Sequence, residues 1–136
     1  MPKFLIADDN HNNRLLMQKV LTSYGDCDIV VYGKEAVDAF KMAMDDGEPY
    51  QFIFLDIMMP KMNGQDALKV MRKLERSKGI EKENGAKIIM ATARDSTKDL
   101  LEALFGGGCN DYLIKPISIE KINKLLSECG LEKKLN

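Results

Sequence analysis

An open parallel β-sheet with helices on both faces is the fold class this sequence predicts, in one domain spanning residues 1–136. Three observations predict it. Five short apolar segments recur along the chain, and most are continuous rather than alternating, which suits strands covered on both faces. Between and after them, apolar residues recur three and four positions apart, the amphipathic helix signal. Glycine and proline fall at the ends of these segments, where turns belong. The resulting order βαβαβαβαβα calls for crossover connections and a parallel sheet.

The elements follow in order. "KFLIA" (3–7) reads as the first strand, and Leu16, Val20, Leu21 and Tyr24 as one face of the first helix. "DIVVY" (28–32) is the second strand, followed by a helical face of Ala36, Val37, Phe40, Ala43 and Met44. "QFIFL" (51–55) is the third, and Ala67, Leu68, Met71 and Leu74 form the next stripe. "SKGIEKENGA" (77–86) is polar and reads as an exposed loop before the fourth strand, "KIIMAT" (87–92). Leu100, Leu101 and Leu104 make a shorter fourth stripe, with Asp95 or Ser96 as its cap. "DYLI" (111–114) is the fifth strand, and Ile119, Ile122, Leu125, Leu126 and Cys129 the fifth helical face, capped by Ser118. The methionines and aromatics in these stripes are expected to pack in the core.

Composition narrows the function. Apolar residues make up 45% and charged residues 30%, with a net charge of -1, which describes a soluble globular protein without the basic footprint of a nucleic-acid binder. The apolar runs are strand-length, too short for a membrane span, and "MPKFLIADD" has no signal-peptide h-region. Cys27, Cys109 and Cys129 are odd in number and lack C-x-x-C spacing. They are expected as reduced, mostly buried thiols of a cytoplasmic protein. His11 is the one histidine, which argues against a Ser-His-Asp device or a multi-histidine metal site. It is expected exposed at a helix start.

One stretch stands out. In "FIFLDIMMP" (52–60) a lone carboxylate, Asp56, closes an apolar run. An ionised acid is costly to bury unless paired or metal-bound, so Asp56 must either emerge at a site or have its charge compensated. In open α/β sheets, ligands bind outside the carboxyl ends of the strands. The first strand ends in Asp8 and Asp9, the third in Asp56, the fourth in Thr92, and the fifth runs into Lys115 and Pro116. Three gathered carboxylates repel, each pair by roughly 1 to 4 kcal/mol at about 4 Å, so some must protonate or a cation must enter. Oxygen-only ligands suit Mg²⁺. With Lys115 beside them they make a site for a phosphoryl group, and a carboxylate there can serve as nucleophile.

The motifs "IADDN" (6–10), "FLDIMMPKMNG" (54–64), "MATA" (90–93) and "DYLIKP" (111–116) together resemble the receiver domain of two-component response regulators, its stand-alone, CheY-like members in particular. The resemblance covers residues 3 to about 129, leaving 130–136 as a short tail. It implies a flavodoxin-like sheet of order 2-1-3-4-5 with five helices. It implies that Asp56 accepts a phosphoryl group from a histidine kinase or histidine phosphotransfer domain. Asp9, Asp56 and the Met58 carbonyl would bind Mg²⁺, with Asp8 helping through water. Lys115 would pair with the phosphoryl oxygens. Thr92 would move to meet them, Tyr112 would change rotamer in response, and Lys115–Pro116 would be cis. A downstream target would read the face of the fourth helix, fifth strand and fifth helix, roughly Asp95 to Cys129, and a phosphatase could reset it.

Departures from the family pattern are the longer loop 77–86 and "FGGGCNDY" (105–112), whose glycines are expected to loosen the end of the fourth helix. Met58 and Arg94 occupy positions that tune the phosphoryl lifetime in relatives, and bulk at Met58 is expected to hinder water. Rival readings are weaker. A Mg²⁺-dependent aspartyl-phosphate phosphatase wants a second acid two residues after the nucleophile, where Met58 stands. A flavodoxin-like FMN module wants a phosphate-binding first loop, where Asp8 and Asp9 repel phosphate. Within the family, a chemotaxis-type output is the leading expectation, and a phosphorelay intermediate feeding a histidine phosphotransfer domain is the alternative.

Overall fold

A computed structural model describes residues 2–93, 98, 101, 102, 106 and 108–133. Five parallel strands form one sheet of order β2-β1-β3-β4-β5: β1 Lys3–Ala7, β2 Asp26–Val30, β3 Phe52–Asp56, β4 Lys87–Thr92 and β5 Asp111–Ile114. Four α-helices are complete among the described residues: α1 His11–Leu21, α2 Gly33–Asp45, α3 Gly64–Ser77 and α4 Ile119–Glu128. The sequence led us to expect five. Lys98 and Leu101 are helical, but the rest of that expected helix, with Asp95, Ser96, Leu100 and Leu104, lies outside the described residues. Leu101 itself is exposed rather than facing the core.

The sheet divides the core in two, because successive side chains of a strand point to opposite faces. Phe4 and Ile6 of β1, with Phe52 and Phe54 of β3, meet Met17 and Leu21 of α1 and Ile122 and Leu126 of α4. Leu5, Ile53 and Leu55 point the other way, onto Ala36 and Phe40 of α2 and Leu68 and Met71 of α3. Both sets are apolar, which is why the central strands read as unbroken runs. β3 is buried at all five positions and paired on both sides, in register Ile53↔Leu5 and Ile53↔Ile88.

The edges depart from expectation. β2 begins and ends two residues earlier than the apolar run suggested, and pairs only with β1, from Lys3↔Asp26 to Ala7↔Val30. Val31 and Tyr32 leave the sheet because Glu35 Oε1 captures both their N–H groups, at 3.2 and 3.1 Å, starting α2. Ile119 and Cys129 are exposed rather than core-facing. They stand at the first turn and the C-cap of α4, beyond the sheet's cover. Of the cysteines only Cys109 is buried; Cys27 is half-buried and all three are free thiols. Met42 and Met58, which lie outside the stripes expected to form the core, are exposed. The loop 77–86 is largely exposed, with a short 3₁₀ turn at Lys82–Asn84. His11 is exposed at the start of α1.

Candidate functional site

The strand ends bring the expected groups together. Asp56 is the last residue of β3, and its neighbour across the ladder is Ala91, one residue before Thr92. Asp8 follows β1 directly. Carboxylate oxygens of Asp8, Asp9 and Asp56 all lie within 4.8 Å of one another. Lys115, one residue past β5, reaches across to Asp56 Oδ1 at 3.1 Å. Its backbone N–H donates to Thr92 O at 2.8 Å, which ties the end of β5 to the end of β4.

Asp56 sits on the rim yet does not surface: it is 2% exposed. Its two oxygens fare differently. Oδ1 accepts from Lys115 and from the Met58 N–H, at 3.2 Å. Oδ2 is buried and finds no hydrogen-bond partner among the described residues. Burial is the main reason its carboxyl is pushed up to about 6, and the charge of Asp8 adds to it. Lys115 and the Met58 N–H pull the other way.

Asp8 is 1% exposed, but its oxygens are occupied. Asn10 N–H donates to Oδ1 at 2.8 Å and Asn13 Nδ2 to Oδ2 at 3.3 Å, while Arg14 braces the Asp8 carbonyl at 3.0 Å. Sequence reasoning placed Asp8 and Asp9 at the site as cation-binding carboxylates but did not anticipate this clamp. Asn10 does cap α1, accepting the Asn13 N–H at 3.0 Å. Asp9 is exposed.

The loop after β3 is shaped by a close approach. A Cβ on Gly64 would strike the carbonyl oxygen of Asp56, so only glycine lets α3 begin so near the site. Gly64 N–H closes the loop onto Ile57 O at 2.8 Å, and Asn63 caps α3 through the Asp66 N–H. Met58 stands out of this loop, 67% exposed, while Thr92 is buried with its hydroxyl donating to Ala93 O at 3.2 Å. Tyr112 lies on the exposed face of β5. The Lys115–Pro116 peptide is cis. Arg94 lies outside the described residues. A cavity of about 510 Å³ lies elsewhere, at the opposite strand ends, between Phe40, Tyr50, Phe52, Ile80 and Leu131.

The donor set fits a divalent cation. Three carboxylates and one ammonium leave two negative charges, every donor is oxygen, and one buried oxygen has open lone pairs.

Residues 4–127 match the response regulator receiver domain. The chain belongs to that family. It is 33% identical over 129 residues to hybrid signal transduction histidine kinase L of Dictyostelium discoideum, covering 94% of this chain and 7% of that protein. It is 36% identical over 126 residues to two-component response regulator 24 of Arabidopsis thaliana, covering 90% of this chain and 79% of the other. The chain thus spans a small fraction of the hybrid kinases it matches, 7% and 10% of the first two.

Solved structures agree on the fold. The receiver domain of Saccharomyces cerevisiae Ssk1, crystallised with the histidine phosphotransfer protein Ypd1, superposes with a TM-score of 0.80 at 31% identity, covering 93% of this chain and 87% of that one. Vibrio cholerae chemotaxis protein CheY4 superposes with a TM-score of 0.77 at 25% identity, covering 94% and 98%. This receiver is therefore a phosphoacceptor module of two-component signalling, with the sheet order 2-1-3-4-5 that the resemblance implied. No helix among the described residues is long and apolar enough to cross a membrane.

Proposed function

We propose that Asp56 is the phosphoacceptor of a cytoplasmic signalling switch, and that Asp8, Asp9 and Asp56 hold Mg²⁺ with help from the Met58 carbonyl. The observation that carries this reading is the state of Asp56: buried, paired on Oδ1 to Lys115, without a partner on Oδ2 among the described residues, and grouped with two further carboxylates. An Asp56 oxygen attacks the phosphorus of a phosphohistidine. The O–P bond forms, the N–P bond breaks, and the leaving imidazole takes up a proton. Lys115 neutralises the phosphoryl oxygens and Thr92 donates a hydrogen bond to them. Bound Mg²⁺ would supply further neutralisation at those oxygens. The chain acts stoichiometrically, catalysing only its own phosphorylation and dephosphorylation.

The phosphorylated state is read by shifting a pre-existing equilibrium, with Thr92 and Tyr112 as the moving parts and β5–α4 as part of the reading surface. For the partner, the likeness to the Ssk1 receiver favours a histidine phosphotransfer domain and a place in a phosphorelay. The likeness to CheY4 supports the chemotaxis-type output at lower identity.

The experiment is an intact-mass measurement after incubation with Mg²⁺ and a small phosphodonor. One acid-labile phosphoryl adduct is expected, absent in Asp56→Asn and in EDTA. No adduct on the wild type with several donors would overturn the reading.

A further inference from the structure

Lys121 breaks a local rule. Ser118 caps α4 by accepting the Lys121 N–H at 3.2 Å, so Lys121 is the third residue of the helix. Glu or Gln is preferred there, to complete the capping box, and a cation at a helix N-terminus opposes the helix dipole. Where a sequence breaks such a rule, a compensating gain is to be sought nearby.

The gain is visible. The Lys121 ammonium donates to Ile114 O at 2.9 Å and to Pro116 O at 2.9 Å. These two carbonyls flank Lys115 in the chain. Two carbonyl oxygens converging on one point repel each other, and an ammonium between them turns that repulsion into attraction. The backbone from which the Lys121 side chain departs is itself held by the Ser118 cap. Lys115 is thus gripped twice: its own N–H by Thr92 O, and its neighbours' carbonyls by Lys121. Its side chain then crosses to Asp56.

We propose that Lys121 is a positioning residue for the phosphorylation chemistry: it braces the loop that aims Lys115 at Asp56. This rests on the reading of Lys115 as the phosphoryl-binding lysine. Lys121→Met removes the brace and leaves the three carboxylates untouched. The first-order labelling rate with a small phosphodonor at saturating Mg²⁺ should fall about 3- to 10-fold, the scale of a small misplacement of a reacting group. Lys121→Arg, which also donates to both carbonyls, should restore most of it. In a Lys115→Ala background, Lys121→Met should change nothing further, because the residue acts through Lys115. An unchanged rate in Lys121→Met, or an equal loss with and without Lys115, would overturn the proposal.

A second readout needs no phosphodonor. In protein labelled with ¹⁵N-lysine, the Lys115 ammonium signal should shift in Lys121→Met and return in Lys121→Arg. No shift would overturn the brace while leaving the phosphoacceptor reading intact. A shift in Lys121→Met beside a wild type that never labels would uphold the brace and overturn the phosphoacceptor reading instead.

Discussion

Two clusters of buried charge sit at opposite ends of the same sheet, and they are built on opposite terms. At the end where the strands begin, Arg72 and Glu75 of α3 form a closed network. Arg72 donates to Glu75 Oε1 at 2.7 Å, Ala86 O at 2.9 Å, Gly108 O at 3.0 Å and Asn110 Oδ1 at 2.6 Å. The other Glu75 oxygen accepts from Ala86 N–H at 2.7 Å, and Asn110 Oδ1 also takes the Ile88 N–H. At the end where the strands finish, Asp56 has one oxygen paired and one without a partner among the described residues, beside two further carboxylates. The first cluster is complete without a ligand. The second is complete only with a cation or a proton. Satisfaction of polar groups separates scaffold from site here, since both clusters are buried and charged.

The largest effect should come from opening the closed cluster. Arg72→Met leaves Glu75 buried and unpaired, and should cost about 3 to 5 kcal/mol in urea unfolding. Full stability in that variant would dissolve the distinction between the two ends. Neutralising the incomplete cluster should do the reverse. Because burial raises the Asp56 carboxyl to about 6, the folded state holds its proton more tightly than the unfolded one. Stability from this group is fully present below about pH 4 and is lost as pH rises through 6. Asp56→Asn should therefore match the wild type near pH 4 and exceed it by about 1 to 3 kcal/mol above pH 6 in EDTA. Mg²⁺ should close that gap by stabilising the wild type. Thermal unfolding across pH, with and without Mg²⁺, reads both. A variant less stable than the wild type at pH 7 without metal would show that Asp56 is as well satisfied as Glu75. The smallest effect concerns the exposed side of the site. Met58→Asn should shorten the phosphoryl lifetime about 2- to 5-fold, roughly 0.4 to 1 kcal/mol, by admitting water. An unchanged dephosphorylation rate would remove Met58 as a barrier.

The two ends were not equally legible. Asp8, Asp56, Thr92 and Lys115 announce themselves because each is polar at the end of an apolar strand, and parallel topology sends those ends to one rim. Arg72 and Glu75 hide among the charges of "KVMRKLERS" (69–77), where nothing local distinguishes an inward cation from a solvated one. The apolar stripe was drawn through Leu74, which is half-buried, while its neighbour Glu75 is buried. The partners that make this possible, Ala86, Gly108 and Asn110, are remote in sequence. For the same reason the glycines of "FGGGCNDY" looked like slack. Gly108 does take φ 84, but its carbonyl is pinned by Arg72. The β2 boundary was missed because "VVY" is apolar enough to continue a strand, and only the reach of Glu35 ends it.

The burial of β3 has a mechanical corollary. It is flanked by strands on both sides and by helices on both faces, so Asp56 is mounted on the most fully enclosed strand of the sheet. β5 has one neighbour and presents Tyr112 to solvent. If Asp56 is the phosphoacceptor, as proposed, a change there has little free volume around it in which to be expressed. On the proposed reading, its effect is expected at the margin formed by β5, which Lys115 joins to Asp56.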